Sequence, residues 1–175
     1  MYFIRMIPAL ILVCGLPGSG KSFFAHHLSK KTAVLYLNSD LLRKELFPDK
    51  RSYSEPEKQF VYDTLLARTQ SALFDHKPVL VDATFYKQEL RIPFYALAQK
   101  NNIPLYIFYI TADEALIKER TSVTRTDSEA DFSVYVKLKD LFEPITLPYK
   151  TLVSDKNNID TLLTNALTYL SNGKK

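Results

Sequence analysis

The chain has 175 residues, 46% of them hydrophobic and 24% charged, which suits one packed domain and excludes a low-complexity tract or a disordered arm. Lys and Arg exceed Asp and Glu by 23 to 19, an excess that is mild and dispersed. It suits an anionic ligand such as a nucleotide and excludes a dedicated nucleic-acid coat.

The first stretch, "MYFIRMIPALILVCG", carries one Arg, is interrupted by Pro8 and precedes no small-residue cleavage pattern. It is also too short to span a membrane, so residues 9–14 read as a buried strand. Phe24, Ala25 and Leu28 stand at helical spacing and predict a helix over 21–30. A second strand follows at 33–37, then a short helix capped by Ser39 and running to 46. "FPDKRSYSEP" is a loop, and a long helix covers 55–74. The pattern then alternates: strand 78–84, helix 87–100, strand 104–110, helix 112–121. "SVTRTDSEAD" is polar and aperiodic, a surface loop before a helix at 132–142. A fifth strand, "YKTLVSD", and a helix over 159–170 close the chain. Strands separated by helices predict βαβ units, hence a parallel sheet with helices on both faces in a single domain over 1–175.

"GLPGSGKS" satisfies G-x-x-x-x-G-K-[ST] between a strand and a helix, the context a phosphate-binding loop requires. Gly15, Gly18 and Gly20 let backbone amides close on an anion, with Leu16, Pro17, Ser19 and Phe23 completing the nucleotide contacts. Lys21 supplies a mobile charge for the β and γ phosphates, and the Ser22 hydroxyl is a hard ligand for Mg²⁺. The guanine signature of GTPases is absent: "SDKNN" holds the residue types in the wrong order. His26, His27 and His76 are scattered without metal-site spacing, and Cys14, the single cysteine, reads as a core residue in a reducing, cytoplasmic compartment.

Asp40 and Arg43 lie three apart at a helix start, beyond the carboxyl end of the second strand, where parallel sheets gather ligands. A carboxylate there can take the proton of an attacking hydroxyl, and the Arg can hold an anionic or hydroxylated acceptor. Asp82 ends the third strand, suited either to Mg²⁺ or to the acceptor; Thr84 follows it and Arg91 lies on the next helix. Arg120 and Arg125 flank a polar stretch and can fold over a triphosphate, while Lys118 beside them stays open between the cleft and solvent.

Taken in order, "GLPGSGKS", "NSDLLRKEL", "VLVDATF", "KERTSVTRTDSEAD" and "LFEPI" resemble the P-loop kinases known as AAA-type ATPase-like predicted kinases. That group is similar to the kinase domain of polynucleotide 5′-hydroxyl kinases and, more distantly, to zeta toxins and chloramphenicol phosphotransferase. The resemblance runs from about residue 9 to 155. It implies an α/β P-loop NTPase three-layer fold, a five-stranded parallel sheet ordered 2-3-1-4-5, and a lid at about 119–131 over ATP. It implies Asp40 as general base, Arg43 on an acceptor phosphate, Lys21 and Ser22 on phosphates and Mg²⁺, Asp82 lining the acceptor site, and Arg120 and Arg125 in the lid. The loop after "LVSD" would lie beside the adenine. The expected activity is transfer of the γ-phosphoryl of Mg-ATP to a polynucleotide 5′ hydroxyl. Such kinases usually carry a second repair domain, for which 175 residues leave no room, so a metabolite hydroxyl stays open as acceptor. A nucleotide-responsive regulatory protein that phosphorylates no small acceptor is the reading from another class.

Overall fold

A computed structural model describes residues 8–122 and 131–172. Five strands, β1 (Leu10–Cys14), β2 (Leu35–Asn38), β3 (Val79–Asp82), β4 (Leu105–Ala112) and β5 (Lys150–Ser154), form one parallel sheet in the order β2-β3-β1-β4-β5. This is the order implied by the resemblance. The helices are α1 (Lys21–Thr32), α2 (Ser39–Leu46), α3 (Glu55–Phe74), α4 (Gln88–Lys100), α5 (Glu114–Thr121), α6 (Phe132–Asp140) and α7 (Ile159–Asn172).

The apolar run of β1 is explained by its place at the centre. All five of its residues are fully buried. Successive side chains leave a strand on opposite faces. Leu10, Leu12 and Cys14 accordingly join a core with Val61, Leu65 and Phe94 of α3 and α4, while Ile11 and Val13 join one with Phe24, Leu28 and Leu163 of α1 and α7. Burying each such aliphatic side chain contributes about 1.5–3 kcal/mol.

Helix starts depart from expectation where a strand runs further than its apolar signal. β2 continues to Asn38, so Asn38 and not Ser39 caps α2; its Oδ1 accepts the amides of Asp40 and Leu41 at 2.9 and 2.8 Å. Ser39 becomes the first helical residue and is buried. β4 extends through Ala112 because β5 pairs alongside it, Ala112 opposite Ser154. Asp113 then caps α5 by accepting the Ala115 amide. α3 begins and ends as expected: the Ser54 hydroxyl accepts the Glu57 amide and Pro56 occupies the first turn, where its missing N–H costs no hydrogen bond. Among the described residues no helix is long and apolar enough to cross a membrane.

The register brings the strand ends to one edge. Val13 stands opposite Asp82, and Asp82 opposite Asn38. The glycine loop leaving β1, the helix leaving β2 and the loop leaving β3 therefore open on a common cleft.

Candidate functional site

The glycine loop ends at Gly20, the N-cap of α1, with φ of 88°. A Cβ at this position would stand 2.6 Å from Ser154 Oγ, so both the turn and the packing require glycine. The first turn of α1 holds no acidic residue and no side chain caps it. Its amides and the positive end of its dipole are left for an anion. Lys21 opens the helix and is buried, Ser22 is half-buried, and Ser19 Oγ is buried without a partner. Leu16 packs with Ile117 and Tyr135, and Pro17 is buried beside it. Phe23 is different: it is 61% exposed and leans on the His27 ring, on the outer side of α1. Thr84 meets the loop through its backbone, its carbonyl accepting the Gly15 amide at 3.4 Å.

Opposite the loop, one asparagine joins two acids. Asn38 Nδ2 donates to Asp82 Oδ2 at 2.5 Å while its Oδ1 caps the turn that carries Asp40. Tyr36 donates its hydroxyl to the same Asp82 oxygen at 2.8 Å. Asp82 is fully buried, and its Oδ1 has no partner. A buried carboxylate oxygen left over, at a strand end beside a glycine loop bearing a serine hydroxyl, fits a hard cation such as Mg²⁺. Among the described residues no cluster of three or more His, Cys, Asp or Glu is arranged as a metal cage. That suits Mg²⁺, which takes one or two carboxylates and draws its other ligands from phosphates and water.

Two arginines expected in the acceptor site are not open cations. Arg43 is 6% exposed and its Nη1 lies 2.5 Å from Glu57 Oε1. The other Glu57 oxygen accepts the Ser52 amide at 2.6 Å, the Ser52 hydroxyl at 2.7 Å and the Tyr53 amide at 3.3 Å. Burial works to raise the Glu57 carboxyl pKa, but the Ser52 donors and Arg43 outweigh it and bring the value down to about 2. Arg91 sits on the inner face of α4 with Leu90, Phe94 and Ala98 and is fully buried. It donates to the carbonyls of Lys87 and Glu143 at 3.2 and 2.8 Å and lies over the Phe142 ring, so its length is used to tie α4 to the segment after α6. Arg91 and Asp82 act oppositely on Cys14, whose thiol burial pushes up to about 12; the two charges thus flank the end of β1. Tyr95, one turn beyond Arg91, also buries a hydroxyl without a partner.

Arg120 is anchored and does not reach out from a lid. It donates to Gly18 O at 3.3 Å, Ser154 Oγ at 2.9 Å and Asp155 O at 3.0 Å, joining the glycine loop to the end of β5. Lys118 faces the Phe132 ring at 5.8 Å. Arg125 and most of the expected lid lie outside the described residues. Beside Arg120 a cleft of about 640 Å³ is lined by Asp113, Leu116, Glu119, Ser154, Asp155 and Asn158, at the loop expected beside a base.

Sequence reasoning missed Asn38, Tyr36, Glu57, Tyr53 and Ser154. Glu57 had a local signal, the S-x-x-E spacing from Ser54 that marks a helix start, and Asn38 is a residue type favoured as a helix cap. Tyr36, Tyr53 and Ser154 are defined by contacts with other elements, Tyr36 with Asp82 of β3, Tyr53 with Arg43 of α2 and Ser154 with Arg120 of α5.

A glycine loop running onto an uncapped helix, at the carboxyl edge of a sheet in this order, defines a P-loop kinase-like nucleotide-binding domain. Residues 10–145 match a family model described as AAA domain, and the chain belongs to that family. It is 31% identical over 116 residues to the L-seryl-tRNA(Sec) kinase of Methanococcus maripaludis, an alignment covering 63% of this chain and 44% of that protein. Solved structures share the fold. A gluconokinase from Sinorhizobium meliloti matches with a TM-score of 0.70 at 16% identity, over 96% of this chain and 94% of that one. The Mycobacterium tuberculosis APS kinase CysC in complex with AMPPNP and APS matches with a TM-score of 0.70 at 20% identity, over 94% and 98%.

Proposed function

We propose that the chain transfers the γ-phosphoryl group of Mg-ATP to the hydroxyl of an acceptor alcohol. One observation carries the reading. Among the described residues, five buried side-chain polar atoms lack a partner: those of Arg91 and Tyr95 lie on α4, and those of Ser19, Arg43 and Asp82 belong to the glycine loop, α2 and the end of β3, residues assigned to this cleft from sequence. Orphaned polar atoms are costly in a native fold, and a concentration of them at one edge is what a polar ligand would satisfy.

Each side chain has a defined task in this reading. The amides of the glycine loop and the α1 terminus hold the phosphates, and Lys21 neutralises the charge that builds on them. The Ser22 hydroxyl and the spare Asp82 oxygen would hold Mg²⁺, which when bound draws charge from the phosphate oxygens. Asp40 accepts the proton of the acceptor hydroxyl as that oxygen bonds to the γ-phosphorus. The bond from phosphorus to the bridging oxygen breaks, and ADP leaves. Arg120 supports the loop from the base side, with the cleft between α5 and the end of β5 receiving the adenine.

The relatives are named for gluconate, APS and seryl-tRNA, and a polynucleotide 5′ hydroxyl is the acceptor implied by the resemblance. The Arg43–Glu57 pair favours a metabolite hydroxyl over a polynucleotide end, because the cation meant for the acceptor's phosphate is already paired. Incubating the chain with Mg²⁺, γ-labelled ATP, a metabolite panel and 5′-hydroxyl oligonucleotides tests the reading. Label is expected in an acceptor, and Asp40→Asn should cut turnover about a hundredfold or more with ATP affinity nearly unchanged. Label in no acceptor while ATP binds would support the regulatory reading instead.

A further inference from the structure

We propose that Glu57 selects the acceptor: by neutralising Arg43 beside Asp40, it restricts transfer to a hydroxyl on an uncharged sugar or nucleoside ring and disfavours one with a phosphate or carboxylate next to it. The inference rests on the phosphotransfer reading above and adds the chemistry of the acceptor.

An arginine that grips a phosphate does so through its uncompensated positive charge as well as its N–H donors. Here Arg43 has committed Nη1 to Glu57 Oε1. Glu57 cannot easily step aside, because its other oxygen is held by three donors from Ser52 and Tyr53. It stands third in α3, after the Ser54 cap, where the helix dipole favours a negative charge. A phosphate approaching Arg43 would therefore meet a fixed carboxylate as well as the guanidinium. Like charges brought together in this way cost several kilocalories and work against the wrong partner.

What remains suits a neutral group. Arg43 Nε is buried without a partner, so the guanidinium keeps N–H groups for an acceptor oxygen although its charge is balanced by Glu57. The Tyr53 ring lies over the Arg43 guanidinium, its centroid 4.8 Å from Cζ, and Tyr53 is 48% exposed. It is held there with φ of 53°, a left-handed conformation that a tyrosine adopts only under constraint, and its amide donates to Glu57. Glu57 thus has two effects: it cancels the charge of Arg43 and it sets an aromatic face above it. A flat face over a neutralised cation suits the ring of a sugar or nucleoside.

Matched acceptors test this: a nucleoside against its 3′-monophosphate, and a hexose against its phosphate ester, each with Mg²⁺ and labelled ATP. The wild-type chain should use the uncharged member of each pair with kcat/KM higher by about tenfold or more. Glu57→Gln should erase at least that advantage, by lowering KM for the phosphorylated member, with KM for ATP unmoved. A wild-type preference for the phosphorylated members would overturn the inference, as would a preference that Glu57→Gln leaves intact. Should the variant fold poorly by thermal melting, the wild-type comparison alone decides. Label in neither member, with ATP bound, would sink the phosphotransfer reading itself, an outcome distinct from the other two.

Discussion

Asn38 uses both ends of its amide. Oδ1 caps α2, and Nδ2 donates to the buried Asp82. The two duties can be separated by mutation. Asn38→Ala removes both and should destabilise the chain by about 1–2 kcal/mol from the cap alone, read by urea unfolding. Asn38→Asp restores a competent cap but sets a second carboxylate against Asp82. If capping were the whole role, Asn38→Asp would match the wild type; we expect it to lose stability and, in the phosphotransfer assay, more turnover than Asn38→Ser. Gly20 is constrained in another way. Ala there must adopt a left-handed backbone, at about 1–2 kcal/mol, and push its Cβ against Ser154 Oγ and the Arg120 guanidinium. Gly20→Ala should weaken nucleotide binding measured by calorimetry, because the strained turn is the one that aims the amides of α1.

At the scale of elements, α3 shows what was readable and what was not. Its ends were legible because Ser54, Pro56 and the apolar spacing of Val61, Leu65, Ala72 and Leu73 act locally. The pairing of Glu57 with Arg43 of α2 was not, because nothing within a few residues of either sets their distance. Local signals also shortened β2 and β4, whose last residues are polar or small and are held in the sheet by their neighbours. The α2–α3 pair has a pH signature. The Glu57 carboxyl falls from the ordinary 4.5 to about 2 on folding, so the folded state holds its proton less tightly than the unfolded chain. The stability this confers is complete above about pH 4.5 and is lost as the pH falls toward 2. Melting temperature should therefore drop across that window, and Glu57→Gln should flatten the drop. A variant that melts in acid as steeply as the wild type would show that other carboxylates carry the acid sensitivity.

For the whole molecule, alternation of strands and helices specified a parallel sheet, while the strand order came from the resemblance and agrees with the structure. The glycine loop was legible because it is contiguous in sequence, Gly15 to Ser22. Of the four residues expected on the acceptor side, Asp40, Arg43, Asp82 and Arg91, two proved to be buried cations engaged by protein groups. A charge in a sequence carries no mark of whether the fold pairs it. The sheet order sets the two halves apart. β2, α2 and α3 form one side, β5 with Arg120 the other, and the glycine loop of β1 stands between them. Arg120→Ala should raise KM for ATP, since Arg120 ties the glycine loop to β5, and leave the ratio between charged and uncharged acceptors as it was. Glu57→Gln should do the reverse. Arg120 bonds Gly18, Ser154 and Asp155, and Glu57 bonds Arg43, Ser52 and Tyr53, on opposite sides of the glycine loop, so in the double variant the free energies of the two changes should add within about 0.5 kcal/mol. A larger coupling, measured from kcat/KM of the four proteins in a double-mutant cycle, would mean that the glycine loop transmits strain between the sides and that donor and acceptor are not bound independently.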